Sequence, residues 1–231
     1  MTSGNRRIVI GGEGGQGVQA AADILAQAAF EEGKKALYIP NFGIEQRGGT
    51  SLAFVQIGTE TVGSPKFEHA HLVVALSSRS LERLQGYMNE DSIILFDSSL
   101  LEPPQVSDEV VGRQTFNTIA PETFAERRLT GQRQKFPEML PKVRAVFGLP
   151  ASEMAQTKLH PRVANIIILG TVAGFTKMVT LESVEAALEK RLAHKIERDP
   201  ALKDLNLKAL EWGWQSAGRM LEGLVPAGEI P

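Results

Sequence analysis

Two short segments near the start of the chain carry residue types and spacings suited to holding an anionic ligand. Gly12, Gly14 and Gly17 stand at G-x-G-x-x-G spacing within Gly12-Glu13-Gly14-Gly15-Gln16-Gly17. Glycine lets a backbone take positive φ and approach a ligand closely, and a helix starting just beyond presents unpaired N–H groups to an anion. The second segment, Asn41-Phe42-Gly43-Ile44-Glu45-Gln46-Arg47-Gly48-Gly49, sets a guanidinium ahead of two glycines. That places a fixed fork of donors, matched to phosphate or carboxylate, on a backbone able to bend tightly. The candidate binding residues are Gly12, Gly14, Gly15, Gln16, Gly17, Glu45, Arg47, Gly48 and Gly49. No catalytic residue is assigned to the chain.

The elements around these segments decide whether they meet. Arg7-Ile8-Val9-Ile10-Gly11 reads as a short buried strand. Val18 to Glu32 reads as a helix, because Val18, Ala21, Ala22, Leu25, Ala28 and Ala29 fall on one face. Gly33 suits the position that ends it, and Lys35 to Pro40 follows as a second strand, giving a strand–turn–helix–strand unit. Further strands are predicted over Ser51–Ile57, Leu72–Leu76 and Ser92–Phe96, with a helix over Ser80–Met88. Alternating strands and helices predict an α/β fold, a three-layer Rossmann-like and largely parallel sheet. The loops after the first two strands would then share the carboxyl edge of the sheet, where ligands bind in such folds.

Residues 103–160 break the rhythm. Pro103, Pro104, Pro121, Pro137 and Pro141 forbid long helices there, and the span reads as an insertion within one domain covering residues 1–231. Helices return over Val163–Thr176, over Leu181–Leu192 behind a Thr180 cap, and from Asp199-Pro200 to about Leu221.

A nicotinamide site is the first reading of the glycine turn, and the sequence argues against it. Such a site needs an acidic residue, or an Arg for the phosphorylated cofactor, at the end of the second strand; here that strand ends in Ile39-Pro40-Asn41. Glu13 would also repel a pyrophosphate unless it points away. The turn could equally serve only to pack helix on strand, or to meet another ligand or a partner's loop.

Composition narrows the classes. The chain has no cysteine, hence no disulfide, no thiolate for an iron–sulfur cluster and no cysteine nucleophile. A formal charge of −2 gives no electrostatic reason to expect nucleic acid or acidic lipid as a partner. The apolar run Val163–Phe175 is too short to span a bilayer, and the polar start Met1–Arg7 is not a secretory signal, so a cytoplasmic protein is expected. His69-Ala-His71 would place two rings on one face of a strand, yet no third ligand stands nearby and no metal site is assigned. Asn165, entering an apolar helix, should satisfy its amide by hydrogen bonds in a structural or interface role.

Taken together, Gly12–Gly17, the alanines at positions 20–22 and Gly43–Gly49 resemble the gamma subunit of 2-oxoacid:ferredoxin oxidoreductases. The beta subunit of indolepyruvate ferredoxin oxidoreductase carries a related pattern. Pro161–Asn165 with Leu169-Gly170, Leu181–Leu188 and Asn206–Gly213 are similar to that family's C-terminal part. The resemblance implies a subunit of an enzyme that converts a 2-oxoacid and coenzyme A to acyl-CoA and carbon dioxide. Thiamine diphosphate with magnesium, and iron–sulfur clusters, would reside in thiamine-binding alpha and beta type subunits and a ferredoxin-like subunit. This chain has neither cysteines nor a Gly-Asp-Gly thiamine signature. The resemblance further implies that Arg47 meets a coenzyme A phosphate or a partner subunit, with backbone N–H contacts from Gly14–Gly17. A free-standing nucleotide-binding protein and a purely structural spacer stay open as readings.

Overall fold

A computed structural model describes residues 4–42, 49–60, 62, 64–99 and 142–222. Six strands form one sheet: β1 (Arg6–Glu13), β2 (Lys35–Phe42), β3 (Thr50–Gly58), β4 (Leu72–Ala75), β5 (Ile93–Asp97) and β6 (Ala145–Leu149). Their spatial order is β2-β3-β1-β4-β5-β6. The pairs β1–β4, β4–β5 and β5–β6 are parallel, while β3 runs antiparallel to both of its neighbours, β1 and β2. The largely parallel α/β sheet is therefore as the sequence predicts.

The opening unit differs from the expectation in one respect. β1 and β2 run in the same direction but do not pair, because β3 is threaded between them. The reason lies in the connection: residues 43–49 are too few for a parallel crossover, so the chain returns antiparallel beside β2 and completes the sheet next to β1.

Helices cover both faces. On one face α1 (Val18–Glu31) lies over Ile8, Ile10, Ala53, Val55, Ile57 and Val74, presenting Ala21, Ala22, Leu25 and Ala28. On the other, α2 (Ser78–Leu84) sets Leu81 and Leu84 against Val9, Leu52, Phe54, Val73 and Ile94. There Phe54 is held edge-on by Phe67 and Tyr87, with ring centroids 5.6 Å and 5.2 Å away. A three-layer arrangement follows from strands that are apolar on both sides and so must be covered on both.

The C-terminal part is helical: α3 (Ala151–Lys158), α4 (Ala164–Thr176), α5 (Leu181–Arg198) and α6 (Ala201–Glu222). Helix α4 is buried from Ile166 through Gly174, so it is a core helix and not an amphipathic one. It crosses α6 at closest range through two glycines. A Cβ on Gly170 would stand 2.0 Å from the Leu210 carbonyl oxygen, and one on Gly213 would stand 1.9 Å from the Ile167 oxygen.

Three boundaries shift from the sequence reading. Helix α5 continues to Arg198, beyond the expected Leu192, because its last turns are charged and solvated and their periodicity fades. Residues 145–158, read as part of an excursion, belong to the fold as β6 and α3; Pro150 between them cut both signals short. Residues 100–141 of that span lie outside the described residues. His69 and His71 are not on a strand, since β4 begins at Leu72. Nδ1 of His71 accepts the Arg7 backbone N–H at 3.0 Å, and burial first, then Arg7 and Arg6, holds its pKa below the usual imidazole value.

Gly33 ends α1 as predicted, with φ 77°. Its N–H and that of Lys34 donate back to the carbonyls of Phe30 and Ala29. Beside it, Glu32 joins α1 to α5. Its carboxylate accepts the Thr180 N–H at 2.7 Å and pairs with Lys34 at 2.5 Å. Burial opposes its ionisation, but hydrogen bonds from Lys34, Thr180 and Ser183 outweigh that and bring its pKa down to about 2. Glu32→Gln is expected to cost about 1.5–3 kcal/mol at pH 7, measured by urea unfolding. The folded pKa lies below the unfolded value of 4.5, so this stability is present above pH 4.5 and is lost as pH falls towards 2. The gap between the two proteins should narrow over that window.

Candidate functional site

The described corners at the carboxyl edge of the sheet follow β1, β4, β5 and β6. Those after β4, β5 and β6 use polar groups internally. After β4, Ser77 Oγ accepts the Ser80 N–H and Ser80 Oγ accepts the Ser77 N–H, each at 3.1 Å, which closes a capping box on α2. After β5, the buried Asp97 carboxylate accepts from Ser152 Oγ at 2.5 Å and from the Ser99 N–H at 3.0 Å, tying the strand to the start of α3.

The corner after β1 is built differently. The chain leaves β1 at Glu13, turns through Gly14–Gly17 and enters α1, whose N-cap is Gly17 at φ 75° with no side-chain cap. No acidic residue stands in the first turn of α1, so its N-terminal N–H groups and partial positive charge face no carboxylate of their own helix. Gly15, at φ 99°, is exposed and has nothing within 4 Å of where a Cβ would be. This corner also lies where the strand order reverses, between β1 and β4, with α1 and α2 on opposite faces. In open α/β sheets such a reversal leaves a crevice.

Each predicted site residue in the turn has a definable part. Gly12 is buried, and a Cβ there would stand 2.7 Å from both Gln16 Oε1 and Val18 Cγ2, so glycine is required for packing alone. Gln16 braces the corner: its Oε1 accepts the Glu13 N–H at 2.6 Å and its Nε2 donates to the Leu76 carbonyl at 2.8 Å, joining the β1 and β4 ends. Both ends of its amide are thus used within the fold. Gly14, Gly15 and Gly17 form the open part. Glu13 is 2 % exposed and lies in register opposite Thr50 at the end of the sheet.

The second segment reaches the same corner. Phe42 pairs with Ser51 and Glu13 with Thr50, which puts both ends of the Arg-Gly-Gly loop at the edge that carries the glycine turn. The Gly14 N–H donates to the Gly49 carbonyl at 3.0 Å and fastens one to the other. Gln19 adds a second tie, its Nε2 donating to Ser51 Oγ at 2.7 Å and its Oε1 accepting from Tyr38 at 2.7 Å. Glu45, Arg47 and Gly48 lie outside the described residues.

One residue at this corner comes from far along the chain. Asn165, in the first turn of α4, lies over Gly17; a Cβ on that glycine would be 2.4 Å from Asn165 Nδ2. Its side chain makes no hydrogen bond with the described residues, so of the two expected roles, structural or interface, the amide serves no structural bond among them. Its sequence signal was an amide in an apolar helix; nothing in the sequence tied it to Gly17.

The fold and the site define a doubly wound α/β domain with a glycine-lined corner at its topological reversal. The family model for pyruvate ferredoxin/flavodoxin oxidoreductase matches residues 7–216, and the chain belongs to that family. The motif resemblance to gamma subunits holds as well. The chain is 33% identical to the pyruvate/ketoisovalerate oxidoreductases common subunit gamma of Pyrococcus abyssi, over 77% of this chain and 82% of that protein. It is 32% identical to ketoisovalerate oxidoreductase subunit VorA of Methanothermobacter marburgensis, over 94% of this chain but 37% of that protein. It therefore spans little more than a third of VorA's length. Among solved structures, the gamma subunit of a keto/oxoacid ferredoxin oxidoreductase from Geobacter sulfurreducens has the same fold. Its TM-score is 0.62 at 23% identity, with 93% of this chain and 99% of that one covered. A 2-oxoglutarate:ferredoxin oxidoreductase from Magnetococcus marinus, solved with 2-oxoglutarate, coenzyme A and succinyl-CoA, matches at TM-score 0.68 and 18% identity. That match covers 93% of this chain and 31% of that one.

Proposed function

We propose that the chain is a gamma-type subunit of a multi-subunit 2-oxoacid:acceptor oxidoreductase. In this reading residues 1–231 are one gamma-type domain, and of the insertion expected around residues 103–160 the described part, 145–158, completes the fold as β6 and α3. The reaction takes a 2-oxoacid and coenzyme A to acyl-CoA and carbon dioxide, releasing two electrons and a proton. The carbon–carbon bond is broken by thiamine chemistry and the electrons leave through clusters. This chain fits neither group: a sequence without cysteine supplies no thiolate for a cluster, and no group of three metal-binding side chains occurs among the described residues. In this reading thiamine diphosphate, magnesium and the clusters reside in alpha- and beta-type partners and a ferredoxin-like partner. No helix among the described residues is long and apolar enough to cross a membrane. A cytoplasmic location is part of the proposed reading.

The role left for this chain is to shape the coenzyme A entry. One observation carries that reading: among the described corners, the one after β1 combines an exposed glycine backbone with a helix start that has no side-chain cap and no acidic residue in its first turn, and Gly14 is fastened there to Gly49, which follows the Arg47 segment. Backbone N–H groups there meet a phosphate, Arg47 adds the guanidinium, and the partner closes the other side. In the assembled complex, Arg47→Ala should raise KM for coenzyme A about 10-fold or more, with KM for the 2-oxoacid unchanged. Unchanged coenzyme A kinetics in a correctly assembled complex would favour the spacer reading.

A further inference from the structure

The corner after β1 holds two polar groups that the fold does not use. Thr50 is 6 % exposed, and its Oγ1 has no hydrogen-bond partner among the described residues. It begins β3, directly opposite Glu13 and next to Gly49, whose carbonyl holds Gly14. Asn165 is half-buried and its amide is likewise unpartnered among the described residues, although it touches the last glycine of the turn. The turn is thus bracketed by a buried hydroxyl without a partner among the described residues at its start and by a water-accessible amide, free to meet a ligand, at its end. A buried polar group without a partner costs stability, and such groups commonly mark where a ligand completes the bonding.

Asn165 is also placed with care. It rides on α4, a helix buried from Ile166 through Gly174, which is locked against α6 by the Gly170 and Gly213 crossing. The absence of a side chain at Gly17 is what leaves room for the amide, since any Cβ there would overlap its nitrogen. A residue meant only to fill space would need no amide. One meant to brace the turn would bond to it, as Gln16 does.

We propose that Asn165 is a ligand-contacting residue, the second wall of the site whose first wall is the Gly14–Gly17 turn. Its amide nitrogen donates to a phosphate oxygen of the ligand that the turn receives. This rests on the coenzyme A reading above, and it adds a contact from the C-terminal helices that neither glycine motif contains. Coenzyme A offers such oxygens at its diphosphate and at its 3′-phosphate, and both present the same acceptor chemistry.

The test uses the purified multi-subunit complex with Asn165→Ala, Asn165→Asp and Asn165→Ser, assayed with coenzyme A and with dephospho-coenzyme A. The Ala variant should raise KM for coenzyme A about tenfold, with kcat and the 2-oxoacid KM within about twofold. The Asp variant should raise it further, because it sets a carboxylate against phosphate. If the effect disappears with dephospho-coenzyme A, the contact is to the 3′-phosphate; if it persists, the contact is to the diphosphate. Should Asn165→Ala fail to assemble, Asn165→Ser keeps a small polar side chain, and the same rise in KM is expected from it. An unchanged KM for Asn165→Ala, or for Asn165→Ser where the Ala variant does not assemble, overturns the proposal. Under that result, a raised KM for Arg47→Ala leaves the coenzyme A reading standing, and an unchanged one removes that reading too.

Discussion

Gly213→Ala should cost about 3 kcal/mol or more of folding stability and weaken assembly with it, a large effect for a single methyl group. The added Cβ would lie 1.9 Å from the Ile167 carbonyl oxygen and 2.8 Å from the Thr171 nitrogen. Those are backbone atoms of α4, so no rotamer change relieves the overlap. Helix α4 has nowhere to retreat, because Ile166 through Gly174 are buried against α1, α3 and the sheet. The helices must separate, and interior packing cannot be stretched without losing contacts around the whole crossing. Gly218→Ala, in the same helix, is the control. Nothing lies within 4 Å of its Cβ position, so alanine there should be neutral or stabilise by up to about 1 kcal/mol through helix propensity. Urea unfolding of the two variants measures the difference; equal midpoints would show that the glycine crossing does not limit stability.

Gly17→Ala should combine a loss of stability with a loss of ligand affinity. At φ 75° an L-residue costs about 1–2 kcal/mol, and the new Cβ would displace Asn165. Gly33→Ala imposes the same kind of strain at φ 77°, in open space beyond α1 and away from the corner. Both variants should therefore lower the unfolding midpoint, Gly17→Ala by more. Only Gly17→Ala should raise KM for coenzyme A, by about tenfold. A KM that moves equally in both would mean that backbone strain, and not the displaced amide, is what the kinetics report.

The elements were legible in the sequence where one local signal decided them. Val18–Glu31 follows from alanine and leucine on one face, Gly33 marks its end, and Thr180 marks the start of α5. The glycine turn and the Arg-Gly-Gly loop were legible as a pair, and the register of β1, β2 and β3 brings their ends to one edge. What escaped were properties of pairing and of distance. No residue of β3 announces that it will slip between β1 and β2; the shortness of residues 43–49 does so only after both strands are assigned. Gln16 was read as a ligand contact, and its two hydrogen bonds to the strand ends emerge only in three dimensions. Asn165 meets Gly17 across 148 residues of chain, and no spacing rule connects them. β6 was hidden because five residues between prolines and charges carry too little periodicity to separate from a loop.

All of this depends on the corner after β1 being finished by another polypeptide. The most direct test is to tag this chain in its native cells, isolate it under anaerobic conditions, and assay the eluate and the free chain for 2-oxoacid- and coenzyme A-dependent reduction of an artificial acceptor. Co-elution with cysteine-rich, thiamine-bearing partners, activity only in that assembly, and none in the chain alone is the predicted result. Turnover by the isolated chain, or elution without any such partner, would contradict it.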